Sequence, residues 1–253
     1  MTLSNSNPRL FVEAALVQGA SLDLALPQAH YLSHVMRLKA GDGILLFNGR
    51  DGEWSGVVET AGKKKCSVTV ERQIRTQAEE SGPWLAFAPV KKARTAFIVE
   101  KATELGASRL CPVFTRFTNS ARVNVERMRA HGVEAAEQCG RLTVPEIAEP
   151  ETLEKLMTSW PNNRRLFVCD ERGAGHPIAE ALEDLRTSAG GLSYDCGFLT
   201  GPEGGFDAGE LDALGKLEFV TRIDLGPRIL RAETAALAAL ACWQASAGRH
   251  STP

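Results

Sequence analysis

The chain has 253 residues, 43% hydrophobic and 24% charged, which supplies enough apolar material for a sizeable core and excludes a disordered or low-complexity polypeptide. Twenty-nine Lys and Arg stand against 31 Asp and Glu, a formal net charge of −2, so no global field drives binding to nucleic acid or a membrane. Residues 1–75 carry nine basic and seven acidic side chains, an excess compatible with nucleic acid without demanding it.

From the start of the chain, "MTLSNSNPRL" is polar and lacks the apolar stretch of a secretory signal. Residues 9–74 read as β-rich. "GILLFNG" (43–49), "EWSGVVET" (53–60) and "CSVTVERQI" (66–74) are apolar or alternating runs separated by the turn sequences "NGRDGE" and "AGKKK". One helix is expected at 27–36, with Pro27 in its first turn, where a missing N–H costs nothing. Closely spaced short strands predict a small barrel over 1–75, and "TQAEESGP" (76–83) a linker.

Beyond the linker the period changes to alternating strands and helices. "WLAFAPV" (84–90) is a buried strand and "KKARTAFIVEKATEL" (91–105) a helix with Phe97, Ile98, Lys101, Ala102 and Leu105 on one face, stopped by Gly106. "SRLCPVF" (108–114) is the next strand. Helices near 124–139 and 151–160, a strand at 164–170 and a helix near 177–187 follow. "CGFLT" (196–200), a helix at 208–217, a strand at 219–225 and a last helix from about 233 complete the pattern. Such alternation predicts an α/β domain over 84–250 with a parallel sheet covered on both faces.

In such sheets ligands bind beyond the C-terminal ends of the strands. Two loops there stand out. In "TGPEGGFD" (200–207) Asp207 is a helix N-cap with Glu210 three residues on and Phe206 placed to staple against Leu211, so Gly201, Gly204 and Gly205 are free to bring backbone close to a flat ligand. In "GPRILRAET" (226–234) Glu233 suits the first turn of the following Ala-rich helix, but Arg231 sets a cation against the positive end of a helix dipole. A residue held against that preference points to a substrate. No dinucleotide glycine fingerprint, phosphate loop, nucleophile elbow or zinc-protease motif occurs. The six cysteines, at 66, 111, 139, 169, 196 and 242, form no close pair and no Cys/His cluster, so no metal site is expected and the thiols read as reduced, as in a cytosolic protein.

The segments "HVMRLKAGD" (34–42), "LFNG" (46–49), "EKATELGASRLCPVFTRF" (100–117), "EAAEQCGRLTVPEI" (134–147), "LTGPEGGF" (199–206) and "LGPRILRAETAALAAL" (225–240) together resemble the ribosomal RNA small subunit methyltransferase E family of the SPOUT class. That resemblance covers nearly the whole chain. It implies a small PUA-like β-barrel for RNA, then a C-terminal α/β domain with a SPOUT trefoil knot and parallel sheet. It further implies a cytoplasmic homodimer that uses S-adenosyl-L-methionine to methylate N3 of a uridine in 16S rRNA, in the assembled 30S subunit, with no metal and no membrane.

Carried over, the cofactor would be held by Leu199, Thr200, Gly201, Glu203, Gly204, Leu225, Gly226, Ile229, Leu230, Arg231 and Thr234. Arg231 and Glu233 would be catalytic. Arg231 stays protonated and so stabilises the anion of the base rather than removing its proton. Solvent hydroxide, Glu233 and Glu137 all stand as the proton acceptor. RNA contacts are expected at Arg9, Arg37, Lys39, Arg50, Arg116, Gln138 and Arg141, with the Lys63–Lys65 turn as a further phosphate contact. Two other readings stay open: a SPOUT enzyme for another rRNA or tRNA nucleotide, and a non-catalytic RNA-binding assembly factor.

Overall fold

A computed structural model describes residues 7–62, 65–78, 80–120, 122–188 and 195–247. Lys63 and Lys64, and residues 248–250 at the end of the expected C-terminal domain, lie outside them. The chain divides into two compact units, residues 1–80 with 136–144, and residues 81–135 with 145–253.

In the first unit, β1 (Arg9–Phe11), β2 (Ser21–Asp23), β3 (Gly43–Phe47), β4 (Glu53–Ala61) and β5 (Cys66–Arg75) form a sheet in the order β1-β3-β4-β5-β2. The β1–β3 pair is parallel and the others antiparallel. Three register shifts along β4 and β5 are the bulges that let so small a sheet twist. Its apolar face buries Leu10, Ile44, Leu46, Val58, Val68 and Val70 under Ala29 and Leu32. The single helix expected at 27–36 is instead α1 (Leu26–His30), running into a π-helical turn at Tyr31–Val35.

The second unit is a parallel sheet. Its strands are β6 (Trp84–Phe87), β7 (Arg109–Phe114), β8 (Glu146–Ile147), β9 (Glu151–Thr152), β10 (Arg165–Cys169), β11 (His176–Pro177), β12 (Cys196–Thr200) and β13 (Val220–Asp224). The order is β11-β13-β10-β12-β6-β7-β8, with β9 on β7. The helices are α2 (Lys92–Glu104), α3 (Val125–Cys139), α4 (Leu153–Ser159), α5 (Ile178–Ser188), α6 (Ala208–Leu214) and α7 (Ala232–Ala247). The residues of α3 from Ala136 on belong to the first unit.

Period-two alternation assigns each strand residue a layer. Leu85, Phe87, Phe167, Cys196 and Phe198 meet α2, α5 and α7 through Ile98, Ala102, Leu182, Ala236 and Leu240. Ala86, Leu166, Val168 and Leu199 meet α4 and α6 through Leu153, Leu156, Leu211 and Leu214. Phe97, expected on the buried face of α2, is 43% exposed, because the buried stripe runs through Ile98, Val99, Ala102 and Thr103. The parallel order puts the C-terminal ends of β10, β12 and β13 side by side, and the crossover through α6 spans β10 to join its two neighbours.

Candidate functional site

Three loops leave those adjacent strand ends and enclose a cavity of about 440 Å³. Its walls are residues 169–173 after β10, 200–203 and 205 after β12, and 224–232 with Ala235 around the start of α7. That volume falls within the range of small-molecule sites.

The loop after β12 is fixed from its far end. Asp207 caps α6 by accepting from the Gly209 N–H at 3.0 Å, and Glu210 Oε2 accepts from the Asp207 N–H at 2.9 Å. The glycines ahead of the cap carry packing duties of their own. A Cβ on Gly201 would meet the Phe206 ring at 3.0 Å. Gly205 has φ +71°, a left-handed conformation that side-chain-bearing residues adopt at a cost, and a Cβ there would also displace the Glu171 carboxylate of the loop after β10.

Thr200 follows Leu199 on β12 and therefore faces the α7 layer. Its Oγ1 is buried and has no hydrogen-bond partner among the described residues. It lies on the cavity wall, where a ligand donor or acceptor would satisfy it.

Sequence reasoning missed the third wall. Asp170 is fully buried at the end of β10. Burial would raise its pKa, but hydrogen bonds and charge from Arg222 and Arg172 outweigh burial and hold the carboxyl below its usual range. Arg222 Nε donates to Oδ2 at 2.9 Å, Arg222 Nη2 donates to the same oxygen, and the Arg172 N–H donates to Oδ1 at 3.1 Å. Beneath it, the Cys169 thiol is pushed up to about 12, by burial first and then by the Glu171 charge, so it is no nucleophile.

Of the residues expected around the cofactor, Thr200, Gly201, Glu203, Leu225, Gly226, Ile229, Leu230 and Arg231 line this cavity. Leu199 lies off the wall, in the core under α4 and α6. Gly204, Glu233 and Thr234 also lie off it, and Gly204 packs toward Phe117 instead. Arg231 is exposed at the head of α7, where its carbonyl accepts the Ala235 N–H, and its guanidinium makes no ion pair or hydrogen bond among the described residues. Glu233 is 13% exposed. One of its oxygens lies 3.5 Å from Arg94 Nε, and the other is buried without a partner among the described residues. Arg94, on α2, also donates to Glu203 Oε1 at 2.8 Å and so joins the loop after β12 to α7. No sequence feature had marked it.

The residues expected at RNA part into two groups. Arg37, Lys39, Arg50, Arg116 and Gln138 are exposed. Arg9 turns inward. Its Nε meets Glu53 at 2.6 Å, and its terminal nitrogens donate to the carbonyls of Ala136, Glu137 and Arg141, capping the C-terminal end of α3. Arg141 is 11% exposed and pairs with Glu80 at 3.0 Å. Glu137 Oε1 accepts the Phe11 N–H at 2.9 Å within the same unit. Among the described residues no group of three or more His, Cys, Asp or Glu is placed to hold a metal ion, and no helix is long and apolar enough to cross a membrane.

A family model for an RNA methyltransferase domain matches residues 79–244, and one for an RNA methyltransferase PUA domain matches residues 27–71. The chain is 34% identical over 234 residues to the ribosomal RNA small subunit methyltransferase E of Rickettsia conorii, covering 92% of this chain and 93% of that one. It is 31% identical to the protein of the same name from Synechocystis, covering 92% and 76%. Among solved structures, the ribosomal RNA small subunit methyltransferase E of Neisseria gonorrhoeae bound to S-adenosyl methionine superimposes with a TM-score of 0.80 at 26% identity, covering 94% and 97%.

Proposed function

This chain belongs to the ribosomal RNA small subunit methyltransferase E family, and from that premise we propose that it methylates N3 of a uridine in small-subunit ribosomal RNA with S-adenosyl-L-methionine as donor. The observation that carries the reading is the convergence of three strand-end loops on one cavity whose wall includes Arg231. The donor fits the residues present. The orphaned Thr200 Oγ1 and the bare Gly205 backbone offer the adenosine part polar and close contacts. Of the wall carboxylates, Asp170 is paired with Arg222 and Arg172, and Glu203 with Arg94. That leaves Glu171 and Asp224, without an ion pair among the described residues, to meet the positive charge of the ligand beside the wall cations Arg172, Arg228 and Arg231. When bound, it supplies an electrophilic methyl group on a sulfonium.

The chain's own residues do the rest. N3 of uridine carries a proton between two carbonyls, and losing it spreads negative charge onto their oxygens. Arg231, unpaired and at the cavity, stabilises that charge and lowers the nitrogen's pKa. Glu137 is engaged with the Phe11 N–H. Glu233 likewise has one oxygen engaged, beside Arg94, and lies off the cavity wall, so the two carboxylates and solvent hydroxide all stand as the proton acceptor. Pro202, Leu225 and Leu230, the less exposed apolar side chains of the wall, help to exclude water around the reacting centre.

The trefoil-knotted threading, a PUA-like RNA-binding barrel over 1–75, a knotted catalytic domain over 84–250, a homodimer, the assembled 30S subunit as substrate and a cytoplasmic setting belong to the same proposal. Arg37, Lys39, Arg50, Arg116 and Gln138, all exposed, serve as its RNA contacts. Calorimetric titration of the full chain with S-adenosyl-L-methionine tests the site. One molecule bound per chain, lost when Gly205 is replaced by a bulky residue, supports it. Absence of binding to the wild type overturns it.

A further inference from the structure

Four unusual features converge on residues 26–39 of the first unit. The helix begun at α1 widens into a π-turn, with Met36 N–H bonding back five residues to the Tyr31 carbonyl at 3.0 Å. Such turns are rare and concentrate at functional sites. Arg37 follows at φ +57°, the one non-glycine residue among those described in the left-handed region, a conformation that costs about 1 kcal/mol or more. The imidazoles of His30 and His34 stack face to face, centroids 4.6 Å apart and 3° from parallel, and both side chains are exposed. Leu26, Val35 and Met36 are 65%, 60% and 38% exposed, three of the seven large exposed hydrophobics among the described residues.

The π-turn seats Leu32 in the core with Tyr31 and Leu38 packed partly against it, whereas the His30/His34 stack, Arg37 and the side chains of Leu26, Val35 and Met36 lie outside that core. Backbone strain spent on an exposed surface implies that the surface has a ligand.

The chemistry of the surface specifies it. A stacked pair of rings leaves two outer faces on which a further flat ring can stack. The Ser33 hydroxyl donates its one hydrogen to the Ala29 carbonyl at 2.7 Å, so its 2.8 Å contact with His34 Nδ1 is an N–H donated by the ring. In the neutral ring that leaves His34 Nε2 as an acceptor. The cations Arg37 and Lys39 follow directly, both exposed, and no carboxylate occurs between His30 and Lys39. A flat apolar face, an edge acceptor and two neighbouring cations match an unpaired nucleobase with its flanking phosphates.

We propose that the π-turn at Tyr31–Val35 presents the His30/His34 stack as a platform for an unpaired base of an RNA strand, with Arg37 and Lys39 contacting the phosphates beside it. This rests on the RNA-modifying reading above and adds a subsite to it, in a unit separate from the methyl-donor cavity.

The test uses the full chain and two probes at fixed salt, a short oligouridine and an abasic ribose-phosphate chain of equal length. The expected result for His30→Ala/His34→Ala is a loss of roughly tenfold in oligouridine affinity, the scale of one lost base stack. Abasic binding stays unchanged, and so does S-adenosyl-L-methionine binding, which also reports that the chain is folded. His30→Phe/His34→Phe keeps oligouridine affinity within about threefold, since a benzene ring stacks as well as an imidazole.

Equal loss on both probes would make the histidines phosphate or structural residues and overturn the proposal. So would loss in the Phe variant matching that in the Ala variant, or wild-type binding indifferent to the presence of bases, the result expected if this face docks a protein. Failure of the wild type to bind S-adenosyl-L-methionine strikes the enzymatic reading instead and leaves the oligouridine comparison intact as a measurement.

Discussion

Arg94 and Glu203 are 109 residues apart in sequence and 2.8 Å apart in the structure, and the same guanidinium lies 3.5 Å from Glu233. One cation on α2 thus fixes a residue of the cavity wall relative to the first turn of α7, the helix that follows Arg231. Neither Arg94 nor Glu203 is deeply buried, so each pair is worth only about 0.5–1 kcal/mol after solvent screening. Arg94→Ala is expected to weaken S-adenosyl-L-methionine binding by roughly 3–10-fold. Adding Glu203→Gln to that background should cost little more, because both changes break one contact. Isothermal titration of the two single variants and the double variant measures this, and full additivity would show that Arg94 acts elsewhere.

Arg231 makes no ion pair or hydrogen bond among the described residues, so its removal breaks no structural contact there. Arg231→Ala should lower turnover by about 10²–10³, the usual effect of deleting a preorganised charge, while donor affinity stays within a few-fold. Arg231→Lys should recover only part, since a point charge does not reproduce a planar fork. Single-turnover methylation alongside donor titration separates the two quantities. A variant that turns over at the wild-type rate removes Arg231 from the chemistry.

Arg9 and Glu53 form a pair with side chains 12% and 5% exposed, and Arg9 also holds three carbonyls of the 136–141 segment. Arg9→Ala leaves a buried carboxylate without that partner and should destabilise the chain by about 3 kcal/mol. The salt dependence of RNA affinity should not change, because no phosphate contact is lost. Denaturant unfolding and binding at several salt concentrations report the two effects. A reduced salt slope with unchanged stability would return Arg9 to the RNA surface.

Asp170 links stability to pH. Its carboxyl titrates below the ordinary value in the folded chain. The stabilisation it gives as an anion is therefore complete above about pH 4 and disappears as acid carries the pH through the folded value. Asp170→Asn should cost about 3 kcal/mol at neutral pH, where Arg222 is left facing a neutral amide. The deficit relative to wild type should shrink on acidification. Unfolding at pH 7 and at pH 3 decides it, and a deficit of the same size at both would mean that the charge is not what matters.

The sequence announced those parts of the fold in which local signals agree with burial. Cys196–Thr200 is a fully buried strand read to the residue, and the Asp207 cap with its Glu210 partner is a local motif that forms as its spacing implies. The bends at 201–205 and 226–231 stood out because glycine and proline clusters precede helices that do not need them.

The loop after β10 obeyed the same strand-end rule but carries ordinary charged residues, and nothing local distinguishes the buried Asp170 from a solvated one. Arg94 was invisible for a related reason: an arginine on an exposed helix turn looks the same whether or not a distant loop supplies a carboxylate. Arg9 sits between Pro8 and Leu10 with no sign of burial, since its partners come from the 136–141 segment. The π-turn escaped because its apolar spacing over 27–36 also fits one uninterrupted helix.

The most direct test of the central claim is mass spectrometry of nucleosides from small ribosomal subunits incubated with the purified chain and isotopically labelled S-adenosyl-L-methionine. The account predicts label in 3-methyluridine at a single position, and none when Arg231→Ala replaces the wild type. Label on another atom or nucleotide, or no label from an active preparation that binds the donor, would contradict it.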